Sequence, residues 1–194
     1  MDLPRADQPP ARERADAARN RARVLAAAAR LFATQDGRTV TMEQIAAAAG
    51  VGKATLYRRY PDVASVAVAL LDEHERALQA EVLRGPPPLG PGAPPGERLA
   101  AFYQAMVDLL ERHGHLALAA ETGPRRYQAG AYGAWALHLR ALLAQAGLGH
   151  HRALVDALLA PLAPDVFAHQ RATGLTPAQI AADLATLARR TLAV

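Results

Sequence analysis

TMEQIAAAAGVGKATLYRRY, residues 41–60, describes two short helices joined by a tight turn. Thr41 stands where an N-cap belongs, and Gln44 three residues on completes a capping box, so the first amides of a helix are satisfied there. Ile45, Ala46 and Ala49 recur at helical spacing. Gly50 ends that helix as the residue that takes positive φ without a Cβ penalty, and Val51 is an apolar plug between the two helices. A second helix follows Gly52 and places Lys53, Ala54, Tyr57 and Arg58 on one face, with Leu56 pointing largely away.

That face is cationic, polar and small at its centre, where Ala54 permits close approach to a surface. It suits the major groove of DNA, which admits one helix. Lysine and arginine there can donate to guanine edges or phosphates, while Thr55, Tyr57 and the amides at the helix start fix register on phosphate oxygens. The competing reading is an ordinary helical hairpin with solvated charges, which spacing alone leaves open.

VGKATLYRRYPD resembles the signature of the TetR family of transcriptional regulators, whose second hairpin helix typically runs V-S-K-G-T-L-Y-x-H-F before a proline. The resemblance covers turn, helix and exit. It implies that Thr41, Lys53, Ala54, Thr55, Tyr57, Arg58 and Arg59 touch DNA, and that Val51, Leu56 and Tyr60 pack inside. The chain departs from the family at Val63, where members often place a phosphate-gripping lysine.

Charge is distributed as that reading requires. The chain of 194 residues carries a net +4, yet residues 1–60 hold eleven Lys or Arg against six acids, so the remainder is slightly negative. The positive field belongs to the N-terminal third. With 51% hydrophobic residues and no cysteine, the composition predicts a globular protein without disulfides or thiolate metal sites. No stretch reads as a membrane span or signal peptide, so the expected location is the cytoplasm and no membrane partner is expected.

Along the chain, residues 1–15 read as a flexible basic arm, with Arg12 and Arg14 followed by Arg19, Arg21 and Arg23, either reaching a neighbouring groove or simply solvated. Asp16 is placed to cap a helix running to about Thr34, with Val24, Ala28, Leu31 and Phe32 as its stripe. Beyond Pro61, Asp62 caps a helix to about Arg84 that is long enough to link two parts of the molecule mechanically. GPPPLGPGAPPG, residues 85–96, is a loop. Helices are then predicted from Glu97 to His113, closed by Gly114; from Leu116 to Glu121; from Pro124 to Gly147; and from His151 to Leu162, where Pro161 and Pro164 kink or end it and Phe167, Ala168 and Gln170 extend it. Thr176, Pro177 and Gln179 give cap, N1 proline and box partner for a last helix with Ile180, Leu184, Leu187 and Ala188 as its stripe. The runs DALLAPL and TGLTPAQI also resemble the C-terminal domain of an actinobacterial-type TetR subgroup.

The fold class is therefore all-α, of about nine helices: a helix-turn-helix domain over residues 16–78 and a C-terminal domain over 79–194. Leu154, Leu158, Ile180, Leu184 and Leu187 supply more apolar surface than one small bundle needs, which predicts a homodimer. A paired copy would also present two reading heads to a palindrome. The resemblance implies a dimer through the last two helices and a small organic effector among the C-terminal helices. Phe102, Tyr103, Met106, Leu110, His113, Trp135 and His138 are its candidate lining, and for each the alternative is plain core packing. Arg125 and Arg126 either meet an acidic ligand or are solvated.

Neither catalysis nor a cofactor is expected. Seven histidines occur without HExxH or a carboxylate at ligand spacing, the only serine is Ser65, and no glycine-rich phosphate loop follows a strand. The sequence thus points to a ligand-responsive repressor on double-stranded DNA. The alternative is a helical small-molecule carrier whose hairpin is only structural.

Overall fold

The computed structural model describes residues 11–35, 39–120 and 130–193, with side chains at 15–35, 39–114 and 131–193. The described residues form nine α-helices and no strand: α1 (Ala11–Thr34), α2 (Met42–Ala49), α3 (Lys53–Arg59), α4 (Val63–Arg84), α5 (Pro95–Ala120), α6 (Gly130–Gln145), α7 (Ala153–Leu159), α8 (Pro164–Ala172) and α9 (Pro177–Thr191). The all-α class is as predicted. The chain divides into two compact units, one ending at Leu70 and the other starting at Leu71, so the division falls within α4 and ahead of residue 78.

The first unit is built on local signals that the chain honours. Thr41 accepts from the Gln44 amide at 3.2 Å while the Gln44 side chain accepts from the Thr41 amide at 2.8 Å, closing the capping box. Gly50 adopts φ 61°, ψ 40°, and the amide of Val51 then donates to the Ala46 carbonyl at 3.1 Å, so the helix end is satisfied by the left-handed turn. Asp62 accepts from the Ser65 amide at 2.7 Å and caps α4. Val24, Leu25, Ala27 and Ala28 of α1 are buried, and so are Ile45 and Ala46 of α2.

One expectation is corrected. The first helix starts at Ala11, so residues 11–15 belong to α1 rather than to an arm, because Ala, Arg and Glu carry a helix past any cap. Asp16 sits inside that helix and pairs with Arg19. Residues 1–10 and the side chains of Arg12 and Arg14 lie outside the described residues.

In the second unit α5 runs unbroken to Ala120, so Gly114 does not end it and the helix predicted from Leu116 is its last turns. A mid-helix glycine costs only about 1 kcal/mol against alanine, which the helix-forming residues on either side offset. Pro95, fixed at a helical φ, opens α5 two residues ahead of Glu97. Pro124, Arg125 and Arg126 lie outside the described residues. The helix predicted over 151–162 is shorter and does not extend: α7 stops at Leu159, a 3-10 turn (Ala160–Leu162) follows, and Pro164 opens a separate α8 that holds Phe167, Ala168 and Gln170. Ala163 is extended (φ −64°, ψ 135°) because the proline ring after it disfavours the helical region. The α9 box forms as predicted, with Thr176 accepting from the Gln179 amide at 3.2 Å.

The unit is held by α5 packed along α9. At Gly96 an added Cβ would lie 3.3 Å from Cα of Arg189, so glycine sets how closely the two backbones approach. Beside it Arg189 clasps Glu97 with two hydrogen bonds of 2.7 and 3.1 Å. Tyr103, fully buried, donates its hydroxyl to the Leu158 carbonyl at 2.8 Å. Burial, with the Arg98 charge as a smaller cause, pushes the His138 imidazole down to about 4. The unfolded chain titrates near 6.5, so between those values it binds a proton that the folded chain refuses, and stability present above pH 6.5 is lost as pH falls. Urea unfolding should show a loss of about 2 kcal/mol between pH 7.5 and 5 from this group, and His138→Leu should remove that part of the acid dependence.

Candidate nucleic-acid interface and effector cavity

On α3 the side chains of Lys53, Ala54, Thr55, Tyr57, Arg58 and Arg59 are all exposed, whereas Leu56 and Tyr60 are buried at 2% and 6%. One helix thus turns its apolar residues inward and keeps a continuous cationic and hydroxyl-bearing face in solvent. Tyr57 leaves 44% of its surface exposed, with its ring and hydroxyl both accessible on this face. Thr41 is exposed at the start of α2, and Val51 is half-buried beneath the turn. Val63 opens α4 half-buried.

Glu43 stands beside this face. Its carboxylate lies 3.5 Å from the Lys53 ammonium and accepts from the Tyr57 hydroxyl at 3.5 Å. A hydrogen bond from its own backbone amide, then the Lys53 charge and the Tyr57 hydroxyl, hold the Glu43 carboxyl below its ordinary value. In the free protein two side chains expected to meet DNA are therefore drawn toward a carboxylate that repels phosphate. Glu43→Gln should tighten DNA binding at low salt by about three- to tenfold, an effect that 0.5 M salt removes; titrations at two ionic strengths read this directly.

The arginines of α1 divide by role. Arg23 donates to the Gly50 carbonyl at 2.9 Å and Arg30 to the Ala48 carbonyl at 3.5 Å, so both brace the end of α2 against α1. Arg21 reaches the Tyr60 hydroxyl at 3.5 Å. A cleft of about 400 Å³ lies between α1 and α3, with Asn20 and Arg21 on one side and Thr55, Arg58 and Arg59 on the other. Arg19, Arg21 and Arg23 are thus engaged within the first unit; the bracing by Arg23 and the counter-charge at Glu43 are features that sequence reasoning missed.

The second unit contains a cavity of about 70 Å³ bounded by α4, α5, α6, α7 and the 3-10 turn. Of the expected lining, it brings together Met106, Leu110 and Trp135. Phe102 and Tyr103 are fully buried and do not line it: Phe102 packs against Trp135 and His138, with ring centroids 5.3 and 5.4 Å apart. His138 is likewise a core residue, and His113 stacks on His74 at 4.0 Å. The walls instead include Leu71, Glu75, Tyr132 and Asp156. Among residues expected at a dimer interface, Leu158, Ile180 and Leu184 are buried within the subunit itself, Leu154 is half-buried, and Leu187 is 41% exposed.

Among the described residues no group of three or more His, Cys, Asp or Glu is placed to hold a metal ion, and no helix is long and apolar enough to cross a membrane. Residues 24–70 match the family model described as bacterial regulatory proteins, tetR family. That match spans the C-terminal part of α1, all of α2 and α3 and the start of α4, and ends where the first unit ends. No curated protein matches the chain significantly. Among solved structures, it is similar to a TetR transcriptional regulator from Rhodococcus sp. RHA1, with a TM-score of 0.62 at 19% identity over 92% of this chain and 98% of that one. A fatty acid degradation regulator, FadR from Bacillus halodurans, gives 0.64 at 15% identity over 95% and 96%. NalD of Pseudomonas aeruginosa, the secondary repressor of the MexAB-OprM multidrug efflux pump, gives 0.53 at 19% over 91% and 96%. The first unit thus carries a match to the tetR-family model over residues 24–70, and the chain as a whole shares the fold of these TetR-type structures.

Proposed function

We propose that the protein is a dimeric repressor that reads a palindromic operator through α3 and is released by a small organic effector bound in the second unit. The observation that carries this reading is the exposed face of Lys53, Tyr57 and Arg58 within the matched domain. Lys53 and Arg58 donate to base edges or phosphates, Thr55 and Tyr57 hold register, and Ala54 allows close approach. Arg59 and Thr41 flank the helix and contact the backbone. A single seven-residue helix offers few base contacts, so two copies on half-sites about 34 Å apart are needed for specificity.

The dimer forms through α8 and α9, whose outward surface includes Val166, Leu187 and the small residues Ala178 and Ala182. The effector acts by population shift. It favours a setting of α4 in which the two heads no longer match successive major grooves. Sedimentation should give twice the chain mass, and footprinting of the upstream DNA should give two protected half-sites about one helical turn apart. A monomer that protects one half-site would overturn the dimer and operator together. A carrier with a structural hairpin, the alternative, predicts no footprint.

A further inference from the structure

We propose that Glu43 and Lys53 together read one C·G base pair in each half-site, Lys53 donating to the guanine edge and Glu43 accepting from the cytosine amino group. The proposal rests on the reading of α3 as the DNA-docking helix and adds a specificity-determining residue to it. Glu43 is the only acid in residues 41–60, a stretch that otherwise presents Lys53, Arg58 and Arg59. A carboxylate on a surface that meets phosphate weakens binding to every DNA sequence alike, so its contribution lies in the choice between sequences.

The fold places that acid at the reading surface. Its Oε1 lies 3.5 Å from the Lys53 Nζ and accepts from the Tyr57 hydroxyl at 3.5 Å, so the carboxylate stands level with the tips of two side chains expected in the groove. All three side chains are exposed. The backbone that carries Glu43 is held: Thr41 and Gln44 close their capping box around it, and Met42 beside it is buried. The left-handed turn at Gly50 sets α2 against α3, so the acid is positioned before DNA arrives, as reading a base edge requires.

A C·G pair offers the complementary couple. In the major groove guanine presents acceptors at O6 and N7 and cytosine a donor at N4, and O6 and N4 are hydrogen-bond partners about 2.9 Å apart. Lys53 and Glu43 set a donor and an acceptor 3.5 Å apart, close to that spacing and of opposite polarity at each point. A hydrogen bond from its own backbone amide, then Lys53 and Tyr57, keep the Glu43 carboxyl ionised, and an ionised carboxyl only accepts. An A·T pair fits worse: the adenine amino group lies between the adenine N7 and thymine O4 acceptors, both of which repel a carboxylate. The tightening expected of Glu43→Gln therefore belongs to DNA that lacks the C·G pair; on the selected site a weakened acceptor offsets it.

Full-length wild type and Glu43→Ala each select sites from a pool of random duplexes, and anisotropy then measures the selected half-site with every base pair replaced in turn. Glu43 is exposed, so its replacement removes nothing from the core. Wild type should require C·G at one position, with a loss of about fivefold or more when T·A replaces it. In Glu43→Ala the loss at that position should shrink by about threefold or more while the losses elsewhere hold, and Glu43→Gln, which donates as well as accepts, should relax the same position toward A·T. A selected sequence and a pattern of losses that are the same in Glu43→Ala as in wild type, or a change confined to a position that is not C·G, would overturn the proposal. Wild type that enriches no sequence sinks the DNA reading and this proposal with it, whereas an enriched sequence indifferent to Glu43 sinks this proposal alone.

Discussion

Lys53→Ala combined with Tyr57→Ala should lower affinity for the upstream DNA by about a hundredfold or more, since each groove or phosphate contact contributes roughly 1–3 kcal/mol. The urea midpoint should stay within about 0.5 kcal/mol of wild type, because both side chains are solvent-exposed and neither fills the core. The pair is more informative than either change alone. Lys53 is a charge that any polyanion attracts, whereas Tyr57 offers a ring and a hydroxyl whose contribution depends on a fitted surface rather than on charge alone. A purely structural hairpin predicts unchanged DNA behaviour and, if anything, a shift in stability. Anisotropy titration and urea unfolding on the same samples therefore separate the two readings.

Phe102→Ala is expected to have the largest effect on folding. The ring is fully buried and touches Trp135, His138 and Tyr103, so its removal loses the transfer term and leaves a void among aromatic side chains that cannot close over it. The cost should be about 3–5 kcal/mol, a large share of the stability of a domain of this size. Because Phe102 stands outside the cavity wall, a ligand measured on the surviving folded fraction should bind nearly as in wild type. Met106→Ala, on the wall, should show the reverse ranking: a smaller loss of stability and a larger change in ligand affinity. Thermal unfolding with and without ligand, on both variants, checks the ordering.

These outcomes bear on how much of the molecule the linear sequence discloses. Thr41 with Gln44, Thr176 with Gln179, Asp62 with Ser65 and the left-handed Gly50 are contacts between residues a few positions apart, and all of them were legible. The exposed face of α3 was legible for the same reason, since helical period groups Lys53, Ala54, Tyr57 and Arg58 about a direction that points largely away from Leu56. Boundaries were less so. Gly114 reads as a stop but sits within α5, because the helix-forming residues on both sides outweigh one glycine. Pro164 reads as a break within one helix but opens a new one, since a proline at the first helical position costs nothing.

The long-range partners were not legible at all. Glu43 faces Lys53 and Tyr57 only once the turn at Gly50 has folded α3 against α2, and Arg23 finds the Gly50 carbonyl across 27 residues. The cavity illustrates the same limit. Glu75 belongs to an acidic stretch that reads as a solvated face, Asp156 to a leucine-rich helix, and no spacing rule joins them. Conversely Phe102 and His138, which look like pocket residues because they are large and carry polar tips, are consumed by the core.

The central claim is that the face bearing Lys53, Tyr57 and Arg58 docks on DNA, and the salt dependence of binding to the protein's own upstream sequence tests it most directly. Log affinity should fall linearly with log salt, with a slope of about −4 or steeper for a dimer, and Arg58→Ala should make that slope shallower by about 1–2 while lowering affinity throughout. Binding that is absent at low salt, or that is indifferent to both salt and Arg58, would contradict the account.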